Sequence, residues 1–140
     1  MPKSPPEDMP RISPYLLYED VGGAMEWLRT AFGLRERHRI TGPGGAVQHA
    51  DMEFEGGVIM MGCPGPDYRN PKHTGHRTQE LYIYVDDVDA HFRRAREAGA
   101  EIVEEPADQP YGDRRYRALD PEGHAWCFAQ RVGEVGETGG

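Results

Sequence analysis

The segments DVGGAMEWLRTAFGLRE (residues 20–36) and DVDAHFRRAREAGAEI (residues 87–102) lie one over the other with a single residue deleted. In each, an aspartate opens the run, a valine follows it and a glycine stands near its end. Asp20 and Asp87 are placed to accept from the free amides of a first helical turn, and Gly33 and Gly99 supply left-handed stops. In the first copy Val21, Ala24, Met25, Trp27, Leu28, Ala31 and Phe32 recur at three- and four-residue spacing, which makes one apolar stripe along a helix. Trp27 belongs to that stripe, and if its ring lies in the helix–sheet core, truncating it to alanine is expected to cost about 3–5 kcal/mol.

Outward from these helices the pattern repeats again. Each is preceded by a strand of aromatic and branched residues, ISPYLLYED (12–20) and ELYIYVD (80–86). Three strands follow the first helix near 34–40, 46–54 and 57–62, parted by the turn signals TGPGG and EGG. Three follow the second near 100–104, 114–119 and 124–130, with Asp120-Pro121-Glu122-Gly123 as a proline-led turn. The order βαβββ therefore occurs twice, and the fold class is α+β with two similar halves sharing one core. One domain is expected over 11–131: module one 11–63, a Pro/Gly/His-rich connection 64–79 and module two 80–131, between flexible tails 1–10 and 132–140.

Composition narrows the function. A chain of 140 residues makes one ordinary domain. No apolar run approaches the ~20 residues that cross a bilayer, and MPKSPPEDMP lacks the continuous apolar region of a secretory signal, so a cytoplasmic location is expected. The net charge of -8 has the wrong sign for nucleic acid or an anionic membrane. Cys63 and Cys127 are too few for a disulfide scaffold and read as thiols.

Strand alternation assigns faces. Leu81, Ile83 and Val85 are aliphatic, which puts Glu80, Tyr82 and Tyr84 on the opposite side: either a partly wet concave binding surface or an ordinary solvated one. Ala50, Met52 and Phe54 share one side of their strand, leaving His49, Asp51 and Glu53 on the other. Trp126 and Phe128 alternate with Ala125, Cys127 and Ala129; the small side either leaves room for a ligand or accepts close packing.

On PYLLYEDVGGAMEWLRTAFGL (14–34), QHADMEFEGGVIMM (48–61), LYIYVDDVDAHFRRAREAGAEI (81–102) and YGDRRYRALDPEGHAW (111–126), the chain resembles the glyoxalase, bleomycin-resistance and extradiol-dioxygenase superfamily of vicinal oxygen chelate proteins. The resemblance implies two βαβββ modules whose curved sheets form a cup-shaped cavity, often completed in a homodimer. It also implies a divalent metal held by the first and last strands of each module, at places that fall on Ser13, Met60, Glu80 and Cys127. Only Glu80 among them is a hard donor, whereas open Lewis-acid sites take imidazole and carboxylate. No cofactor is therefore expected, with a divalent metal as the less favoured alternative.

The favoured function is metal-free binding of a small cationic or aromatic molecule, for sequestration, antibiotic resistance or carriage. The alternative is a metal-dependent glyoxalase-type lyase or isomerase, or a dioxygenase. Ligand contacts are expected from Tyr15, Tyr82 and Tyr84 by stacking, from His49, Asp51 and Glu80 by polar contact, and from Met60 and Cys127 at the former chelating corners. Arg114 either pairs with nearby carboxylates or clamps an anionic group of the ligand. His49 and Glu80 are the candidate catalytic pair, as acid and base, if the strands bring them together. His73 and His76 read as solvated loop residues, and His124 as a partner of the turn or of Trp126.

Overall fold

A computed structural model describes residues 2–134; Met1 and the part of the expected C-terminal tail from 135 to 140 lie outside the described residues. Module one runs β1 (Tyr15–Leu17), α1 (Val21–Phe32), β2 (Arg35–Thr41), β3 (Val47–Phe54) and β4 (Gly57–Gly62). A short helix, α2 (Pro71–Thr74), interrupts the connection, and module two follows as β5 (Glu80–Tyr84), α3 (Val88–Glu97), β6 (Glu101–Asp108), β7 (Asp113–Leu119) and β8 (Ala125–Arg131). The sheets have the strand orders β1-β4-β3-β2 and β5-β8-β7-β6, so the duplication read from the helices extends to strand topology. Within each, only the pair formed by the first and last strands is parallel.

Local chemistry sets these elements. Asp20 Oδ1 accepts from Gly23 N at 3.0 Å and Asp87 Oδ1 from Ala90 N at 3.1 Å, capping α1 and α3. The strand expected over 12–20 shortens to three residues. β6 runs past its expected end to Asp108 and includes Pro106, which an outermost strand tolerates where the register slips between Glu104 and Ala107.

One core serves both modules. Phe32 of α1 packs at 4.7 Å from Phe128 and 5.3 Å from Trp126, ring centre to ring centre, and both partners lie on β8 of the other module. Helices α1 and α3 and one face of each sheet converge there. Trp27 is only partly buried and sits edge-on to Phe32 at the margin of the core, so the condition for that full cost is met only in part; the fully buried indole is Trp126. His91 of α3 joins the same core. Its Nε2 hydrogen donates to Phe32 O at 2.8 Å, and its Nδ1 accepts from Tyr116 OH at 2.6 Å.

The modules are also tied by buried carboxylates in the turn between β7 and β8. Asp120 Oδ2 accepts from Tyr18 OH at 2.6 Å and Trp126 Nε1 at 3.1 Å, while its Oδ1 takes the amides of Glu122 and His124. Glu122 accepts from the amides of Glu19 and Asp20, at 2.6 and 2.8 Å, and from Asn70 Nδ2 at 2.9 Å. His124 Nε2 donates to Leu17 O at 2.7 Å, so this histidine also binds across the modules. Gly123 has φ 93°, and a Cβ there would lie 2.6 Å from Lys72 N, so glycine is what lets α2 close over the turn.

Two outcomes follow from this packing. Tyr18→Phe strips one donor from a buried carboxylate and should destabilise by about 1–3 kcal/mol in urea, whereas Tyr15→Phe, on an exposed ring, should change stability by less than about 0.5 kcal/mol. Burial holds the His91 imidazole below its ordinary pKa, and the hydrogen bond to Phe32 only partly offsets this. The unfolded chain therefore binds the proton first: the stability from neutral His91 is complete above pH ~6.5 and falls as pH drops toward the folded value. Denaturation midpoints of wild type and His91→Gln, compared from pH 8 down to about 5, should show the steeper loss in wild type.

Candidate functional site

The outer face of the module-two sheet is built in rows. Tyr82, Cys127, Arg117 and Glu104 form one row across β5, β8, β7 and β6; Tyr84, Ala129, Arg115 and Ala107 form the next. Long side chains from the neighbouring strands cross over the small residues of β8. Arg117 Nε donates to Glu80 Oε1 at 2.8 Å, and Arg117 Nη1 pairs with Glu104. Tyr82 OH donates to Asp113 Oδ2 at 2.5 Å and Tyr84 OH to the same oxygen at 2.9 Å. Arg131 Nε stands 3.1 Å from Asp113 Oδ1, an ion pair without hydrogen-bond alignment. Cys127 and Ala129 are fully buried as a result, and the open room expected over them is filled.

Electrostatics follow the contacts. Burial first, and then the hydrogen bond to Asp113, pushes the Tyr82 phenol well up, so it stays neutral; Tyr84 is raised chiefly by Asp113. Burial also raises the Cys127 thiol, whose sulfur lies 3.9 Å from Arg115 Nη1. Arg115 is poorly matched in return, since its buried Nε finds no partner. Three carboxylates on this face, Glu80, Glu104 and Asp113, meet three guanidiniums, Arg115, Arg117 and Arg131.

Arg114 does not join them. It pairs with Asp89 of α3 at 3.1 Å and with Asp108 at 3.2 Å, on the helix side of the sheet, which is the carboxylate-pairing alternative of its two readings. Alternation along β7 instead turns Asp113, Arg115 and Arg117 outward. That pattern was readable once Tyr116 was placed in the core, where it packs on Phe128.

The outer face of the module-one sheet carries a second cluster. Tyr15 OH lies 3.1 Å from His49 Nδ1, and His49 Nε2 lies 3.0 Å from Asp51 Oδ1. Tyr15 is on β1 and His49 on β3, with β4 between them. The residue crossed is Gly62, where a Cβ would stand 2.4 Å from Tyr15 Oη. Met60 lies between Tyr15 and Asp51 in register. The expected pairing of His49 with Glu80 is not formed: Glu80 goes to Arg117, and His49 to Tyr15 and Asp51.

The places that the resemblance gives to metal ligands hold a partnerless buried hydroxyl (Ser13), a thioether (Met60), a carboxylate committed to a guanidinium (Glu80) and a thiol raised by burial (Cys127). This donor set does not fit a hard divalent ion. Among the described residues no three His, Cys, Asp or Glu side chains converge as metal ligands. No helix among them is long and apolar enough to cross a membrane.

Comparison with known proteins agrees with the topology. TioX from Micromonospora sp. ML1 has a solved structure that is 36% identical, with a TM-score of 0.72 over 86% of this chain and 98% of that one. A glyoxalase/bleomycin resistance protein/dioxygenase from Nocardioides superposes with a TM-score of 0.66 over 91% of this chain and 89% of that one, at 22% identity, which speaks for the fold alone. A protein of Mycobacterium tuberculosis (strain ATCC 25618 / H37Rv), described as uncharacterised, is 36% identical over 90% of this chain and 77% of its own length. The model of the Glyoxalase/Bleomycin resistance protein/Dioxygenase superfamily matches residues 11–128, and with the two duplicated sheets it establishes that the chain belongs to that superfamily.

Proposed function

We propose that the protein binds a small aromatic molecule without a metal, holding it between the outer sheet face of module one in one protomer and that of module two in a second copy. The observation that carries the metal-free reading is the Glu80–Arg117–Glu104 bridge. The one hard donor at the four family positions is already neutralised by a guanidinium, and a metal would have to displace it.

Other features support the ligand class and the dimer. Tyr15, Tyr82 and Tyr84 are 49%, 43% and 53% exposed, offering flat surfaces on outer faces. Because carboxylates and guanidiniums balance on module two, the aromatic half of the earlier expectation fares better than the cationic half. Within one chain both helices occupy the shared core and no strand of one sheet pairs with the other. β1, with Tyr15, and β5, with Tyr82 and Tyr84, are left as sheet edges, and a second copy would close a cavity over both. Sequestration or carriage is the role this arrangement serves, with antibiotic resistance as one setting.

The test combines three measurements. Light scattering should give a dimer, and elemental analysis of protein purified without chelator or tag should give no stoichiometric nickel, zinc, manganese or iron. Fluorescence titration with a panel of flat aromatic compounds should find ligands whose affinity falls about tenfold in Tyr84→Ala, with little change in melting temperature. A tightly held equivalent of metal together with lyase or dioxygenase turnover would overturn the reading.

A further inference from the structure

We propose that Tyr15, His49 and Asp51 form a proton-accepting relay that takes a ligand bearing an acidic aromatic hydroxyl. This deepens the binding reading and rests on the module-one face being a ligand contact. The argument begins at Asp51, which is 8% exposed. Arg35 and Arg37 are engaged with Glu53, which leaves Asp51 to His49. A carboxylate only accepts, so the His49 proton sits on Nε2 and Nδ1 is the acceptor. Tyr15 OH must then donate to Nδ1. With its own proton directed inward, the Tyr15 oxygen presents lone pairs outward, and the ligand group that meets it must be a donor.

An acidic hydroxyl completes the chain. Its proton passes to Tyr15 Oη as the Tyr15 proton passes to His49 Nδ1, leaving a ligand oxyanion and an imidazolium held against Asp51. No covalent bond to carbon forms or breaks, and no oxidant is needed. An electron-poor phenol is a far stronger acid than an alkyl alcohol, so the step selects an aromatic hydroxyl. The surroundings also suit an aromatic ring. Leu17, Gly62, His49 and Ile40 form one row across the sheet, and Leu17 and Ile40 are 37% and 48% exposed on either side of the histidine. Gly62 makes the arrangement specific, because any side chain there would occupy the path of the phenol.

The probe is 4-nitrophenol, whose anion absorbs apart from the neutral form, followed by absorbance from about pH 8.5 downward. In the presence of excess full-length protein the ionisation of bound dye should move about one pH unit below that of free dye, about a tenfold change in its acid constant. In His49→Gln, Asp51→Asn and Tyr15→Phe, whatever dye is bound at saturating concentration should be neutral, and Gly62→Ala should behave as Tyr15→Phe does. Nitrogen-15 NMR of the ligand-free protein should show His49 protonated at Nε2 and lose that preference in Asp51→Asn. Dye that stays neutral when bound, an anion band that survives His49→Gln, or no dye binding overturns the relay. Tyr84-dependent binding of other aromatic compounds would survive any of these results, which separates failure of the relay from failure of the binding function.

Discussion

Two buried carboxylates hold the molecule in its working shape. Asp120 and Glu122 lie in a turn of module two, yet most of what they bind belongs elsewhere: the Tyr18 phenol, the amides of Glu19 and Asp20, and the Asn70 amide. Segment 17–20 is where β1 ends and α1 begins, so the turn fixes the entry of the first helix as well as its own loop. Losing the donors of segment 18–20 while the carboxylates stay covered would leave buried charge unpaired, which is strongly destabilising. The two halves are therefore one folding unit, and the direction of each sheet's outer face is fixed by the other half.

That constraint decides what the outer faces can do. Since α1 and α3 fill the shared core, the polar faces turn outward, and their side chains satisfy one another across the sheet. On module two the satisfaction is nearly complete. Arg117 spans to both Glu80 and Glu104, and two phenols converge on Asp113. Charges committed in this way leave the face nearly neutral, with Glu80, Glu104 and Asp113 each facing a guanidinium.

Much of the fold was legible because it is set by local signals. Aspartate caps, left-handed glycines and alternating strands each act within a few residues, and all eight strands and both long helices fall close to their expected places. The site was legible only as parity. Alternation told which side of a strand His49, Glu80 and Tyr82 face, but not what stands opposite, and so His49 was matched with Glu80 when its partners are Asp51, two residues along, and Tyr15, two strands away. Arg114 stayed open between two readings for a related reason: the strand begins at Asp113, and reading inward from Tyr116 was needed to set its phase. Trp27 shows the limit of helical periodicity, which places a residue on the stripe without saying whether the stripe's margin is covered.

The duplication sharpens the contrast between the two faces. The offset that lays Asp20 over Asp87 also lays Tyr15 over Tyr82 and Met60 over Cys127, and both tyrosines send their hydroxyl to a titratable side chain. The acceptors differ in kind. Tyr82 meets a buried carboxylate already paired with Arg131, and with burial this drives its pKa up and keeps the proton where it is. Tyr15 meets an imidazole that itself lies 3.0 Å from a carboxylate. One geometry, used twice, thus gives a fixed neutral ring on one sheet and, in the relay proposed above, a proton acceptor on the other.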